Sequence, residues 1–388
     1  MHPTTTSNLR DLFLLDPNIH FLNHGSFGAC PSPVFETYQD WQRRLERQPV
    51  KFLGRELNQL NLQARMALAS YLNASADELV YIPNATHGVN VISRSLKFGP
   101  GDEILTTDHE YGACDYTWEF NCKKTGAAYV HHPISLPVRS AEEILEGFWQ
   151  GVTPRTRVIY LSHISSPTAL RFPVEAVCTR ARQAGILTLV DGAHAPGQIP
   201  LDLTVIGADF YTGNCHKWML SPKGAGFLYV REAVQELVEP LVVSWGYHAT
   251  AETTTGSPFL DCFGWSGTQD PAAYLSVPAA IQFMQDHNWD RVSHQCHALL
   301  RSALQRISEM IGIEPMYPLD SDLYYQMGIA PLPSQTDIIT LQKRLYDECR
   351  VEVPLINWNG QKFVRISVQG YNTPDDLEAL IDGLNKLL

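Results

Sequence analysis

Short runs of apolar and β-branched residues alternate with helical patterns between residues 79 and 230. This alternation is typical of an α/β domain with a mostly parallel sheet, because each parallel pair of strands needs a crossover connection. One crossover helix is predicted over residues 173–184. The predicted strands span residues 79–82, 103–107, 128–132, 158–162, 187–190, 208–212 and 226–230.

The pattern changes beyond this domain. Residues 240–275 are rich in Gly, Thr, Trp and Pro without clear periodicity, and they are predicted to be a long functional loop region. From about Pro278 the pattern is α+β, and Thr373 followed by Pro374 predicts the start of a final amphipathic helix. The chain is therefore divided into an N-terminal arm (1–20), a large domain (21–275) and a small C-terminal domain (276–388).

Composition excludes several classes of protein. Of 388 residues, 44% are hydrophobic and 18% are charged, which is the mixture of an ordinary globular protein. The net charge of −12 argues against general binding to nucleic acid or to an anionic membrane. A run of ~18 apolar residues is absent from the sequence, and so is a signal-peptide pattern, so a cytoplasmic protein is expected. The scattered Cys and His residues show no metal-binding spacing, so no metal site is predicted.

Candidate chemistry follows the predicted strands, because ligands of open α/β sheets bind outside the carboxyl ends of the strands. Asp191 follows one apolar strand, where it could hold a protonated ring nitrogen or simply cap the next helix. Lys217 follows the next strand and is either an amine that reacts with a carbonyl or an ordinary surface lysine. Residues 82–90 run from a strand into a helix, and Thr86 there suggests an anion cradle or a plain helix cap.

The three features together match the needs of pyridoxal 5′-phosphate. Its phosphate needs an anion site, its ring nitrogen needs an acid partner, and its aldehyde needs an amine. In this interpretation Asp191 keeps the ring nitrogen protonated, and Lys217 binds the aldehyde and then transfers the substrate proton.

The sequence resembles the class V aminotransferase group of fold-type I pyridoxal-phosphate enzymes over nearly its full length. Within that group its N-terminal part resembles the isopenicillin N epimerase-like proteins. The stretches that carry the wider resemblance are 84–90, 191–194, 214–217, 267–269 and 364–373, and those that carry the narrower one are 21–31, 108–113 and 244–247.

The resemblance implies a large domain with a mostly parallel seven-stranded sheet and a smaller α+β C-terminal domain. It implies that Lys217 is the cofactor-binding lysine, that Asp191 is the partner of the ring nitrogen, and that His194 contacts the phenolic oxygen of the ring. It also implies that Arg365 clamps the substrate carboxylate, a task suited to its bidentate fork. Thr268 matches a residue donated to the other subunit's site, which implies a homodimer. The residues matched to the phosphate site are Ala85, Thr86, His216 and Asn214, the last replacing a family serine.

Further residues are candidates for cofactor stacking and for the substrate pocket. Tyr111 matches the aromatic residue that stacks on the cofactor, and His109 competes for that role. The catalytic set is thus Lys217, Asp191 and Tyr111. Further candidates for the substrate pocket are Asn23, His24, Arg55, Trp245 and Tyr247.

The sequence does not decide which reaction the protein catalyses. Epimerisation at Cα would need a second acid, for which Tyr111 and His24 are candidates. A C–S lyase and an aminotransferase are alternatives, and a non-catalytic scaffold is an alternative of another class, against which the joint presence of Lys217, Asp191 and Arg365 argues. Residues 351–364 contain no cysteine, so desulfuration through a persulfide is not expected.

Overall fold

Three β-sheets organise the chain. They are seen in a computed structural model that describes residues 9–251 and 253–388, so the first eight residues of the predicted N-terminal arm lie outside the described part. The strands are β1 (His20–Phe21), β2 (Leu79–Ile82), β3 (Glu103–Thr107), β4 (Ala128–His132), β5 (Thr156–Ser162), β6 (Leu187–Gly192), β7 (Phe210–Asn214), β8 (Gly226–Val230), β9 (Met327–Leu332), β10 (Val351–Glu352), β11 (Leu355–Trp358) and β12 (Gln361–Ser367).

The largest sheet has seven strands in the order β2-β8-β7-β6-β5-β3-β4. β8 runs antiparallel to both of its neighbours, while β3 to β7 are parallel. The prediction of a mostly parallel seven-stranded sheet with a smaller C-terminal domain is confirmed. Predicted and observed strand bounds differ by at most two residues. The strand predicted from residue 208 begins at Phe210, because the Asp209 side chain instead accepts hydrogen bonds from Thr188 and Arg231.

Helices cover both faces of this sheet. The crossover helix predicted at 173–184 is observed over Val174–Gln183. The α-helices are α1 (His24–Phe27), α2 (Ser32–Arg47), α3 (Pro49–Lys51), α4 (Leu57–Leu72), α5 (Ala85–Ser95), α6 (Gly112–Thr125), α7 (Ala141–Trp149), α8 (Val174–Gln183), α9 (Leu203–Ile206), α10 (Pro258–Gly264), α11 (Ala272–Leu275), α12 (Val277–Asp286), α13 (Trp289–Ile311), α14 (Ile338–Cys349) and α15 (Pro374–Leu387).

The region 240–275 is less irregular than predicted. It contains α10, α11 and a 3₁₀ turn at Trp245–His248. The Ser257 hydroxyl accepts the Leu260 N–H, and Pro258 occupies the first turn of α10, which is an ordinary helix-start signal that the Gly-rich composition masked. Within the described residues, none of the helices combines the length and apolar character needed to cross a membrane.

Both faces of the large sheet are buried. Along β5, Val158 and Tyr160 belong to one hydrophobic cluster, while Ile159 and Leu161 belong to the cluster on the opposite face. This burial on two faces explains the continuous apolar runs in the sequence. The polar side chains Ser162 and Asp191 come at the carboxyl ends of β5 and β6, where they are paired in register.

The N-terminal segment is attached to the C-terminal part of the chain. β1 pairs with β10, so the segment after the arm joins the small domain. Asp376, in the first turn of α15, accepts hydrogen bonds from the Thr373 backbone, from Arg10 and from Asn372, and its carboxylate contacts His20. Burial works to raise the pKa of Asp376, but these donors outweigh burial and hold the pKa below its ordinary value.

We expect Asp376→Ala to lower the free energy of unfolding by about 3 kcal/mol, because it removes a buried carboxylate and leaves its donors without an acceptor. Urea denaturation measures the change. Asp375→Ala, at an exposed position in the same turn, is the matched control and should cost less than about 1 kcal/mol. Equal losses in the two variants would contradict the role assigned to Asp376.

Candidate active site

A cavity of about 210 Å³ lies at the carboxyl ends of β5, β6 and β7. The strands position it, because Ser162 lies opposite Asp191 and Asp191 lies opposite Thr212 in register. The lining includes eight residues that the sequence singled out, which are Ala85, Thr86, Tyr111, Asp191, His194, Asn214, His216 and Lys217. The remaining lining residues are Ser26, Phe27, Asn84, Ser162, Ile164, Ser166 and Ala193.

Lys217 supplies the amine of this cavity. Its Nζ lies 3.1 Å from Nε2 of His194. Desolvation, aided by the positive charge of Arg365, lowers the pKa of Lys217 to about 8. The neutral amine, which is the form that can attack a carbonyl or remove a proton, is therefore far more populated near physiological pH than in an ordinary lysine.

Asp191 supplies the carboxylate. Its Oδ1 accepts the Ala193 N–H at 2.8 Å, and its Oδ2 accepts the Tyr160 hydroxyl at 3.3 Å and the Cys114 thiol at 3.6 Å. Burial raises the pKa of Asp191, while these donors and the charge of Lys217 oppose the rise. The sequence did not point to Tyr160 or Cys114, because each lies in an otherwise ordinary strand or helix.

His194 lies between the amine and the core. Burial, followed by the charges of Lys217 and Arg365, lowers its pKa well below the ordinary value, so the ring is neutral. Its Nδ1 accepts the indole N–H of Trp218 at 3.4 Å. This assignment leaves the ring hydrogen on Nε2, which points toward Lys217 and can donate to an oxygen bound in the cavity.

The N-terminus of α5 forms an anion cradle at the cavity. Asn84 caps the helix by accepting the His87 N–H at 2.9 Å. Within the described part of the chain, the Thr86 N–H and hydroxyl have no protein acceptor, so they are free for an anion. Ala85 is expected to hold the phosphate, but its N–H already donates to Asn214 Oδ1 at 2.8 Å. The family serine at this position would offer a hydroxyl to the phosphate. Asn214 would offer its side-chain amide nitrogen instead.

Close packing fixes this helix against the sheet. A Cβ added at Gly88 would lie 2.2 Å from Thr212 Oγ1, so only glycine lets α5 approach β7 this closely. Nearby, His216 lines the cavity while its Nδ1 lies 3.0 Å from the Ala225 carbonyl oxygen. Burial lowers the pKa of His216 to about 4.

Arg365 lies on β12 directly behind the cavity wall. Its Nη1 donates to the carbonyl oxygen of Ser166 at 2.6 Å, and its Nη2 donates to Ser26 Oγ at 3.1 Å. Its buried Nε has no partner in the described chain, which is costly unless a ligand supplies an acceptor. Burial lowers the pKa of Arg365 to about 10, so the guanidinium stays charged at neutral pH. These properties suit the binding of a carboxylate.

Two predicted pocket residues lie outside the cavity lining. Asn23 accepts a hydrogen bond from Ser26, and Ser26 accepts one from Arg365, so Asn23 supports the arginine instead of facing the cavity. His24 is fully buried, with Nδ1 3.0 Å from the Tyr371 hydroxyl and Nε2 3.1 Å from the Lys217 carbonyl oxygen. Burial lowers the pKa of His24 to about 3. The expectation that His24 contacts substrate or serves as a second acid is therefore wrong, because its ring is used to bind the backbone behind Lys217.

Between the two candidates for stacking on the cofactor, the structure favours Tyr111. Tyr111 is half exposed and lines the cavity at the start of α6. His109 is fully buried, with hydrogen-bond contacts to Thr168 and the Ile134 carbonyl oxygen.

Four further candidates lie on the surface of the chain. None of them lines the cavity in the described structure, and the contribution of Thr268 to a second subunit stays a prediction. These exposed residues are Arg55, Trp245, Tyr247 and Thr268.

The residues present fit pyridoxal 5′-phosphate. An amine, a buried carboxylate and an anion cradle surround one cavity, and an unpartnered arginine N–H lies behind the cavity wall. Lys217 would hold the aldehyde, Asp191 the ring nitrogen, and Thr86, His216 and Asn214 the phosphate.

Comparison with known proteins supports the same class. Residues 30–327 match the family model described as Aminotransferase class-V. The chain therefore belongs to this family, whose enzymes use pyridoxal 5′-phosphate, and the predictions of enzyme class and cofactor are confirmed.

Individual relatives and solved structures are similar to nearly the whole chain. The chain is 35% identical to isopenicillin N epimerase of Amycolatopsis lactamdurans, with 100% of both chains covered. It is 28% identical to a probable chloroplastic L-cysteine desulfhydrase of Arabidopsis thaliana, covering 96% of this chain and 84% of that one. Among solved structures, the cystine C–S lyase C-DES in complex with cysteine persulfide matches with a TM-score of 0.82 at 22% identity, covering 95% and 98% of the two chains. That last likeness concerns the fold.

The rate at which the apo-protein takes up pyridoxal 5′-phosphate reports the protonation of Lys217. Only the neutral amine attacks an aldehyde, so we expect the rate to rise through pH of about 8 and then level off. Stopped-flow absorbance measures it. Arg365→Gln should move the rise to higher pH, because the arginine charge helps to lower this pKa. A rate still climbing at pH of about 10, as for an ordinary lysine, would contradict the assignment.

Proposed function

We propose that this protein is a pyridoxal-phosphate-dependent epimerase that inverts the Cα configuration of an amino-acid-headed substrate. When bound, pyridoxal 5′-phosphate would supply an electron sink that makes the Cα proton of an amine substrate acidic. The chain must then bind the carboxylate, remove the proton on one side and return a proton on the other. The class V family membership and the 35% identity to an isopenicillin N epimerase over the whole chain support this proposal.

Three side chains divide this work. Arg365, with its free Nε and with Nη2 held by Ser26, binds the substrate carboxylate and fixes the orientation of Cα. Lys217 is the base, because its lowered pKa makes the neutral amine more available than in an ordinary lysine. Tyr111 lines the cavity from a different element, since it follows β3 whereas Lys217 follows β7.

The observation that carries the proposal is the set of titratable groups lining the cavity. In the described structure these are Tyr111, Asp191, His194, His216 and Lys217. Asp191, His194 and His216 are assigned to the ring and the phosphate, and Lys217 is the first base. Tyr111, the residue favoured for stacking on the ring, is the one lining group of this set without an assigned polar contact to the cofactor, so we assign it the return of the proton.

A C–S lyase is the second candidate, and the desulfhydrase relative favours it. Lys217 could by itself remove the Cα proton before a sulfur leaving group departs from Cβ. In that reaction Tyr111 would not be needed as a proton donor to Cα.

Incubation in heavy water separates these reactions. The holoenzyme is given isopenicillin N and, separately, L-cysteine, the compounds named for the two kinds of relative. Deuterium at Cα with inverted configuration is the expected result. Pyruvate and sulfide from L-cysteine without any inversion would favour the lyase, and an α-keto acid without either would favour transamination.

Tyr111→Phe tests the second proton carrier. We expect inversion to slow by at least about 100-fold, the usual contribution of a positioned acid or base. Deuterium exchange with retained configuration should continue, because Lys217 is intact. Tyr116→Phe, at an exposed position on α6, is the matched control and should behave as the wild type. Undiminished inversion in Tyr111→Phe would remove Tyr111 from this role.

We also propose that the protein is a homodimer. Exposed apolar side chains cluster in the region 240–275, including Val243, Trp245 and Tyr247, and the last two are 84% and 62% exposed. Patches of this kind are typical of protein interfaces. Light scattering should give twice the mass of the 43.5-kDa chain, and Trp245→Glu should weaken the association. A monomer at micromolar concentration would contradict the dimer.

A further inference from the structure

Glu110 is a buried carboxyl group that none of the steps above uses. It lies directly before Tyr111 and is 6% exposed. Its Oε1 lies 2.7 Å from the Thr107 hydroxyl, and its Oε2 accepts the N–H and the hydroxyl of Ser162 at 3.0 and 2.6 Å. Across the part of the chain that the structure describes, Glu110 forms no ion pair with a Lys, Arg or His.

These contacts connect two walls of the cavity. Thr107 ends β3, Ser162 ends β5, and both Ser162 and Tyr111 line the cavity. The Glu110 side chain is therefore the link that fixes the segment 107–111 to the neighbouring strand. Asp108 and His109 anchor the same segment to other elements through Ile134, Trp358 and Thr168, and Glu110 supplies its contact to Ser162 of β5.

Glu110 also shares its surroundings with other acids. Ser162, its main partner, is paired in register with Asp191, and Cys114, one helical turn after Glu110, donates to Asp191. The titratable groups that face Glu110 are Cys114 and Asp115 of α6, Tyr129 and His131 of β4, Tyr160 of β5 and Asp191 of β6.

Nothing in this set balances a negative charge on Glu110. His131 is its one base, and it pairs with Asp115 at 3.3 Å. Burial, with smaller contributions from Asp115 and Asp191, raises the pKa of Glu110 to about 8.

The carboxyl group of Glu110 can make all of its hydrogen bonds without a charge. In the protonated acid, Oε2 accepts both donors of Ser162, while the hydroxyl at Oε1 donates to Thr107 Oγ1. Thr107 Oγ1 also accepts the His109 N–H at 3.1 Å, and its two lone pairs allow it to accept both donors. An unpaired carboxylate at the same place would stand beside Asp191 in a medium where two like charges repel strongly.

We propose that Glu110 is a positioning residue that works as an uncharged acid, holding Tyr111 and Ser162 at the cavity wall and leaving Asp191 as the carboxylate for the cofactor ring. The consequence for proton return at Cα rests on the function proposed above for Tyr111. The charge state of Glu110 does not depend on that function.

The variants Glu110→Gln and Glu110→Ala distinguish the hydrogen bonds of the Glu110 side chain from its negative charge. Glutamine keeps an acceptor for Ser162 and a donor for Thr107, so it reproduces the protonated acid. We expect Glu110→Gln to keep the visible cofactor absorbance and turnover within about twofold of the wild type, whereas Glu110→Ala loses turnover by at least about tenfold. Equal impairment of both variants would overturn the proposal, because it would show that a carboxylate is required.

The pH dependence of apo-protein stability gives a second readout that involves neither cofactor nor substrate. Glu110 titrates near 4.5 when unfolded and near 8 when folded, so its ionisation costs the wild type stability as pH rises between these values. The urea midpoint of Glu110→Gln should therefore rise relative to that of the wild type between pH of about 5 and 8, and the difference should stay constant above pH 8.

Glu119→Gln, at an exposed position on the helix α6 that follows Glu110, is the matched control and should show a constant difference over this range. A constant difference for Glu110→Gln as well would mean that Glu110 is ionised in the folded protein, and the proposal would fall. If Tyr111 proves not to carry a proton, the stability measurement still decides the charge of Glu110.

Discussion

The active site depends on keeping the Lys217 amine out of bulk water. The N-terminal segment makes this possible by packing on the backbone of the lysine. Gly28 adopts a φ of +69°, and a Cβ there would lie 2.1 Å from the His216 carbonyl oxygen, so the segment approaches as closely as a chain can. His24 adds a contact to the Lys217 carbonyl oxygen. Because β1 pairs with β10, the packing of the N-terminal segment on Lys217 also requires the C-terminal part of the chain.

Simple physical rules allow the sheet and half of the site to be predicted from the sequence. Buried parallel strands are continuous apolar runs, and their carboxyl ends meet at one edge. Asp191 and Lys217 could be found for that reason, and Thr86 could be found because a helix start binds anions. The resemblance to a family added Arg365, which lies far away in sequence and shows no local signal of its own.

Other parts of the site depend on contacts between distant segments, which a sequence pattern does not contain. His24 and Asn23 share a polar stretch that looks suited to a pocket, yet their partners are Tyr371, Lys217 and Ser26. Cys114 and Tyr160 reach Asp191 only through helix and strand packing. The short helices of region 240–275 were missed because glycine and threonine hide the cap at Ser257.

The outcome of the reaction is a separate problem from the binding of the cofactor. Lys217, Asp191 and Arg365 suit any reaction that begins with loss of the Cα proton, so they do not distinguish inversion from loss of a sulfur group. In the function proposed here, the distinction lies in whether a second proton carrier faces Cα, and Tyr111 is the residue proposed for that role. The position of Tyr111 is set by one short segment, 107–111, which is fixed to β5 through Glu110 and Ser162. A change of reaction within this fold can therefore arise from this segment while the rest of the site stays as it is.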